Sequence, residues 1–171
     1  MKKRFLLVVT LVVCFALPAS GEHIGIYQDE FGYGCSLPTG FNMTAAVVLK
    51  YAPFTTGVRF RIEPPAGTSI AAFTTPYITI GSLDTDMSLA FGQCIDNTGS
   101  ISLGTITANW TAGTAWVRPA LGQTIIMKTD CNFNELPIYG CYAFIGTPGL
   151  CCEDIIATES STWGKVKSLY R

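Results

Sequence analysis

Two cysteines stand side by side late in the chain, Cys151 and Cys152, and they limit the fold more than any other feature of the sequence. Adjacent cysteines rarely bond each other, so each is expected to reach a different partner, which would pin the segment around residue 151 twice. Of the 7 cysteines, Cys14 lies in an apolar leader. Cys35, Cys94, Cys131, Cys141, Cys151 and Cys152 remain, and an even number in an exported chain reads as three disulfides with fifteen conceivable connectivities. A metal site is the competing reading. It needs clusters such as C-x-x-C, which the chain lacks, and the one histidine is His23.

The export assignment comes from the N-terminus. "MKKR" supplies a positive start, "FLLVVTLVVCFALP" an apolar stretch, and "ASG" the small residues that a signal peptidase reads. The stretch falls short of the ~20 residues that a membrane span needs, so residues 1–21 are expected to be a signal peptide cleaved before Glu22. Val13 precedes Cys14 where a lipoprotein signal would carry a small residue, which argues against a lipid anchor. The full chain has 11 basic and 12 acidic side chains; Lys2, Lys3 and Arg4 leave with the leader, so eight face twelve and the net charge is about −4. That sign, without a basic run in the body, excludes a nucleic-acid binder. Only 13% of residues are charged, against an average near 25%.

The body alternates with period 2. In "TGVRFRI" the residues Val58, Phe60 and Ile62 point one way while Arg59 and Arg61 point the other. "DMSLAFG" sets Met87, Leu89 and Phe91 on one face, and "SISLGTITA" alternates Ile101 and Leu103 with small residues. Residues 45–51, 70–80, 114–119 and 124–129 also favour strands. Turn signals separate these runs at 64–67, 96–99, 111–113 and 136–140. Seven to nine short strands without alternating helices predict an all-β, antiparallel β-sandwich, immunoglobulin-like or jelly-roll in layout, stapled by disulfides. The expected organisation is a signal peptide at 1–21, one β-sandwich domain at 22–160 and an amphipathic tail at 161–171. In that tail Trp163, Val166 and Tyr170 recur at helical spacing with Leu169 beside them, which predicts a short C-terminal helix. Residues 163–171 hold three basic side chains and no acid, whereas residues 22–162 hold five basic and twelve acidic ones. So short a helix does not stand alone in water, and its apolar side is read as a docking surface.

The start "HIGIYQDEFGYGCSL" (23–37) and the end "TWGKVKSLYR" resemble a group of secreted bacterial proteins that open with His-Ile-Gly-Ile-Tyr-x-Asp before a Cys and close with Thr-Trp-Gly…Leu-Tyr-Arg. The resemblance extends through "GQC" (92–94) and "TDC" (129–131) and brings no activity with it. "TTGVRFRIEPPAG" (55–67) is similar to a strand-turn stretch of cohesin-like modules, a likeness of fold rather than of binding.

Catalytic chemistry finds little support. A serine or cysteine hydrolase needs a base beside its nucleophile, and His23, the single histidine, is expected at the surface or at a strand end. Carboxylates at Asp29, Glu30, Glu63, Asp84, Asp86, Asp96, Asp130, Glu135, Glu153 and Asp154 stand mostly in turns, which select Asp for backbone hydrogen bonding. "DTDMS" and "DCNFNE" space oxygen ligands alternately, but the second lacks a turning Gly and contains Cys131, so no metal and no cofactor is assigned. Trp110 and Trp116, with Tyr33, Tyr51, Tyr77, Tyr139 and Tyr142, are the candidate ligand-binding aromatics. The expected function is that of an exported, non-catalytic bacterial protein, secreted or periplasmic, with a structural, adhesive or binding role. Its partners would be protein or glycan at the cell envelope. The alternative is a carbohydrate-binding module using Trp110 and Trp116, and behind it a carboxylate-based hydrolase.

Overall fold

The computed structural model describes residues 21–152; the signal peptide expected at 1–21, apart from Gly21, and the tail and helix expected at 161–171 lie outside them. The described chain is all-β, with twelve strands: β1 (His23–Tyr27), β2 (Ser36–Leu37), β3 (Gly40–Lys50), β4 (Thr55–Glu63), β5 (Ser69–Thr74), β6 (Ile78–Ser82), β7 (Asp86–Ile95), β8 (Ser100–Trp110), β9 (Gly113–Arg118), β10 (Ile126–Asp130), β11 (Glu135–Gly140) and β12 (Tyr142–Ile145). No helix among these residues is long and apolar enough to cross a membrane.

The strands pair in the order β2-β12-β9-β4-β10-β11-β1-β3-β8-β5, with β7 on the other edge of β4 and β6 beyond β7. One layer is β1-β3-β8-β5. The other centres on β4, whose first half pairs β10 at Arg59↔Met127 and whose second half pairs β9 at Ile62↔Val117. The inward sides of both layers make one apolar core, with Val47 and Leu49 of β3, Val58, Phe60 and Ile62 of β4, Met87 and Leu89 of β7, and Leu103 and Ile106 of β8. Alternation along each of these strands puts the branched and aromatic residues on one side.

Strand β1 joins the layers, antiparallel to β3 and parallel to β11 through His23↔Tyr139 and Ile24↔Gly140. Held on both edges and both faces, it is buried throughout. His23 is therefore the first residue of a buried strand and not a surface residue: 1% of it is exposed. Its Nδ1 is 2.8 Å from the Gly21 carbonyl oxygen and its Nε2 is 3.1 Å from the Tyr27 hydroxyl. Gly25 is required between them, because a Cβ there would lie 2.7 Å from the Tyr27 ring.

The segment 136–140, expected as a turn, belongs to β11. Pro137 opposes Met127 of β10, and the pairing with β1 begins only at Tyr139, so the missing N–H of Pro137 faces no partner strand. The run 70–80 is two strands, split by Pro76. Strands β1, β2 and β12 lie in segments that alternation did not mark.

Three disulfides staple the fold: Cys35–Cys151, Cys94–Cys131 and Cys141–Cys152. The adjacent pair thus reaches two different places, the start of β2 and the start of β12. Disulfides of this kind belong to chains that fold in an oxidising compartment.

Candidate functional site

The outer face of the second layer is a trough. Register across five strands puts Ile80, Ser88, Arg59, Met127 and Pro137 in one row and Ile78, Ala90, Gly57, Thr129 and Glu135 in the next. Small residues fill the middle of the second row, so the floor is low. Gly57 cannot be larger, because a Cβ would lie 2.7 Å from the Leu89 carbonyl oxygen of β7. Ile78 and Ile80 form one wall and Phe133 and Met127 the other, around a volume of about 690 Å³.

The walls are unusually open for apolar side chains. Ile78 is 66% exposed, Ile80 71% and Phe133 81%. Scattered apolar residues are ordinary on a surface, whereas a contiguous set marks a binding face. Strand β6, which carries the two isoleucines, pairs only β7 among the described strands. It also lies within residues 64–83, a stretch without one charged side chain. Strand edges without such charges are where other chains dock.

Electrostatics are confined to the rim. Arg59 donates from Nε to Asp86 Oδ1 at 2.8 Å and from an Nη to Oδ2, a two-pronged pair at one end of the trough. The hydrogen bond from Arg59 holds the Asp86 carboxyl below its ordinary value, and the bond to Asp86, then its charge and that of Glu135, raises Arg59. At the other end stand Gln93, the Cys94–Cys131 disulfide and the turn that presents Phe133.

That turn is built by Asp130. Its Oδ1 accepts from the N–H groups of Asn132 and Asn134, each at 2.8 Å, and its Oδ2 from Asn134 Nδ2 at 3.0 Å. The alternating oxygens of 130–135 thus close a turn, with this carboxylate turned to amide donors. The Asn134 side chain, then the backbone donors, depress the Asp130 pKa below its ordinary 3.8. A depressed carboxylate stabilises above its unfolded value and loses that contribution as pH falls through the folded one. Hydrogen exchange of the 131–134 amides is therefore expected to accelerate as pH drops below about 3.8. The Asp130→Asn variant should show no such step after correction for intrinsic exchange; a step of the same size would disprove the assignment.

Three further carboxylates are engaged as well. Glu63 Oε2 accepts from Arg118 Nε at 3.2 Å and from Arg61 at 3.4 Å, and Asp84 Oδ1 accepts from the Ser82 hydroxyl at 2.7 Å. Asp29 Oδ1 accepts from the N–H groups of Phe31 at 3.0 Å and Tyr33 at 2.9 Å.

The two tryptophans do not share a platform. Trp110 ends β8 inside the core, 3% exposed, with its indole N–H lacking a hydrogen-bond partner. Trp116 lies half-buried on the outer face of β9, its ring 4.8 Å from that of Tyr142 and 4.3 Å beneath the Arg118 guanidinium. Trp163, Val166, Leu169 and Tyr170 fall outside the described residues. The strand preference of residues 70–80 was the sequence signal for the wall that carries Ile78 and Ile80, and it gave no clue to which side faces out. Phe133 had no signal.

No family model and no curated protein matches the sequence. Among solved structures, the chain is similar to a non-cellulosomal cohesin from the hyperthermophilic archaeon Archaeoglobus fulgidus, with TM-score 0.53 and 11% identity over 74% of this chain and 92% of that one. It also aligns with a type II cohesin domain from the cellulosome of Acetivibrio cellulolyticus, with TM-score 0.47 and 14% identity over 74% and 95%. The second type II cohesin module of the cellulosomal adaptor ScaA scaffoldin of Acetivibrio cellulolyticus aligns with TM-score 0.42 and 12% identity over 75% and 95%. The first of these likenesses shows that the chain shares the cohesin-like β-sandwich fold.

Proposed function

We propose that this protein is an exported, non-catalytic binding module that holds a protein partner in the trough across β6, β7, β4 and β10. One observation carries the reading: Ile78, Ile80 and Phe133 stand exposed around a floor of Gly57 and Ala90. The cohesin-like fold supports a binding role over a catalytic one. Three disulfides and the leader support a place outside the cytoplasm, secreted or periplasmic in a bacterium. The stiff sandwich, jelly-roll or immunoglobulin-like in layout, fixes the trough before a partner arrives, which lowers the ordering cost of binding.

A second reading rests on Trp116. Stacked with Tyr142 and capped by Arg118, it offers a ring face on the outer surface of β9 and β12, the kind of contact that a sugar ring takes.

Quantitative capture of exported proteins from the native cell separates the two. Placing a charge in the centre of an apolar contact costs about 2 kcal/mol or more, so Ile80→Asp is expected to lower capture by roughly thirty-fold or more while Trp116→Ala leaves it unchanged. Capture that survives Ile80→Asp would defeat the trough reading. Glycan-array retention lost on Trp116→Ala would put the sugar reading in its place.

A further inference from the structure

Beyond the trough, the end of the sandwich that carries Phe133 is one laced rim. The Tyr51 N–H donates to the Gly99 carbonyl at 2.9 Å and the Cys131 N–H to the Phe54 carbonyl at 3.0 Å. The Ser100 hydroxyl donates to the Phe31 carbonyl at 2.8 Å, and Cys94–Cys131 ties β7 to the turn after β10. Segments 28–34, 51–54, 95–99 and 130–134 are thereby held together.

The rim displays aromatic rings that the core does not use. Phe31, Tyr33, Phe54 and Phe133 are all exposed, with Phe54 at 55% and Phe31 at 62%. Phe54 and Phe133 have φ of +54° and +63°, a left-handed conformation in which a bulky residue is an outlier. Such outliers persist where the surroundings enforce them and cluster at binding sites. Asp29 and Asp130 present their phenylalanines by one device, a carboxylate that accepts from N–H groups two and four residues on.

Charge states what this rim accepts. Its segments contribute Asp29, Glu30, Asp96 and Asp130, against Lys50, whose Nζ lies over the Tyr27 and Tyr33 rings at 4.9 and 5.9 Å, and Lys128, which is paired with Glu22. An acidic, aromatic rim fits a cationic segment with large apolar side chains. Residues 161–171 of this chain have that composition: Trp163, Val166, Leu169 and Tyr170 among Lys165, Lys167 and Arg171, with no acid. We propose that the rim is the docking site of this C-terminal segment.

The test adds a labelled peptide with the sequence of residues 161–171 to the full-length protein carrying Lys165→Glu, Lys167→Glu and Arg171→Glu, so that its own tail does not compete. Fluorescence anisotropy should show saturable binding that weakens at least ten-fold in Phe54→Gly/Phe133→Gly. It should also fade as salt rises from ~0.05 to ~0.5 M, where screening shortens to a few ångströms. Glycine takes a positive φ without steric cost, so this variant should melt no lower than its parent and the loss reads as docking. Absence of saturable binding, or equal affinity for the glycine variant, would overturn the proposal. Phe133 also lines the trough, so Ile80→Asp is run alongside. Retained peptide binding in Ile80→Asp supports the rim, and equal loss there would move the peptide into the trough and overturn the rim as its site.

Discussion

Replacing Cys35 and Cys151 together by serine is expected to cost about 4–5 kcal/mol, more than removal of either other disulfide. The two residues are 116 positions apart, against 37 for Cys94–Cys131 and 11 for Cys141–Cys152. In the loop-closure account, a bridge removes unfolded-chain entropy that grows with the logarithm of the loop, which gives ~3 kcal/mol for the shortest of these. The native contacts point the same way. Cys35 is buried, and its carbonyl accepts from the Phe144 N–H at 2.7 Å, where the two-residue β2 joins β12. So short a strand has little else to hold it. For a domain of this size 1 kcal/mol shifts the melting temperature by about 2–4 °C, so the double variant should melt roughly 8–20 °C lower. Thermal unfolding of the oxidised protein checks this against Cys141→Ser/Cys152→Ser. A smaller loss for the long bridge than for the short one would show that loop closure is not what the bridges supply.

Alternation made half-buried strands legible in the sequence, whereas β1, buried on both faces, gave no such signal. In β4 and β7 one face meets core and the other meets solvent, so Val58, Phe60 and Ile62, or Met87 and Leu89, announce themselves by alternation. Strand β1 has both faces covered, which erases the period-2 signal. The stretch "HIGIY" therefore gives no sign of being a central strand. Strand β11 was hidden by its own Pro137 and Gly140, residues that signal turns and are tolerated here by the order in which its neighbours join.

The trough was less legible for a related reason. Ile78 and Ile80 alternate correctly with Thr79, but alternation assumes that apolar residues face inward, and on this edge strand they face out. Its other parts come from residues 57, 90, 127 and 133, which only strand order brings together. The left-handed backbones of Phe54 and Phe133 left no trace, since phenylalanine is not a residue that predicts positive φ.

Glu22→Ala is expected to destabilise the protein by about 3–5 kcal/mol although Glu22 itself is one-third exposed. Its carboxylate accepts from Lys128 Nζ at 2.7 Å, and the Lys128 side chain is only 3% exposed. Lys128 lies on β10 opposite Val58, on the inward parity of the sheet, and its other recorded acceptor is the Pro53 carbonyl at 3.1 Å. Removing the carboxylate leaves a buried ammonium without its counter-charge, which is the costly way to break such a pair. Removing the ammonium is different. Lys128→Met leaves a carboxylate that solvent can reach, and an apolar side chain in its place is expected to be near neutral. The double variant Glu22→Ala/Lys128→Met should then recover most of the loss, giving a coupling energy of about 2–4 kcal/mol in a double-mutant cycle. Additive effects would deny that the pair is what matters. The same pair bears on maturation: cleavage before Glu22 keeps the Lys128 partner, and cleavage one residue later discards it. If the leader is cleaved as its residues lead one to expect, the mature protein should begin at Glu22 or earlier, and a mature N-terminus at His23 in its mass spectrum, together with undiminished stability, would refute the dependence.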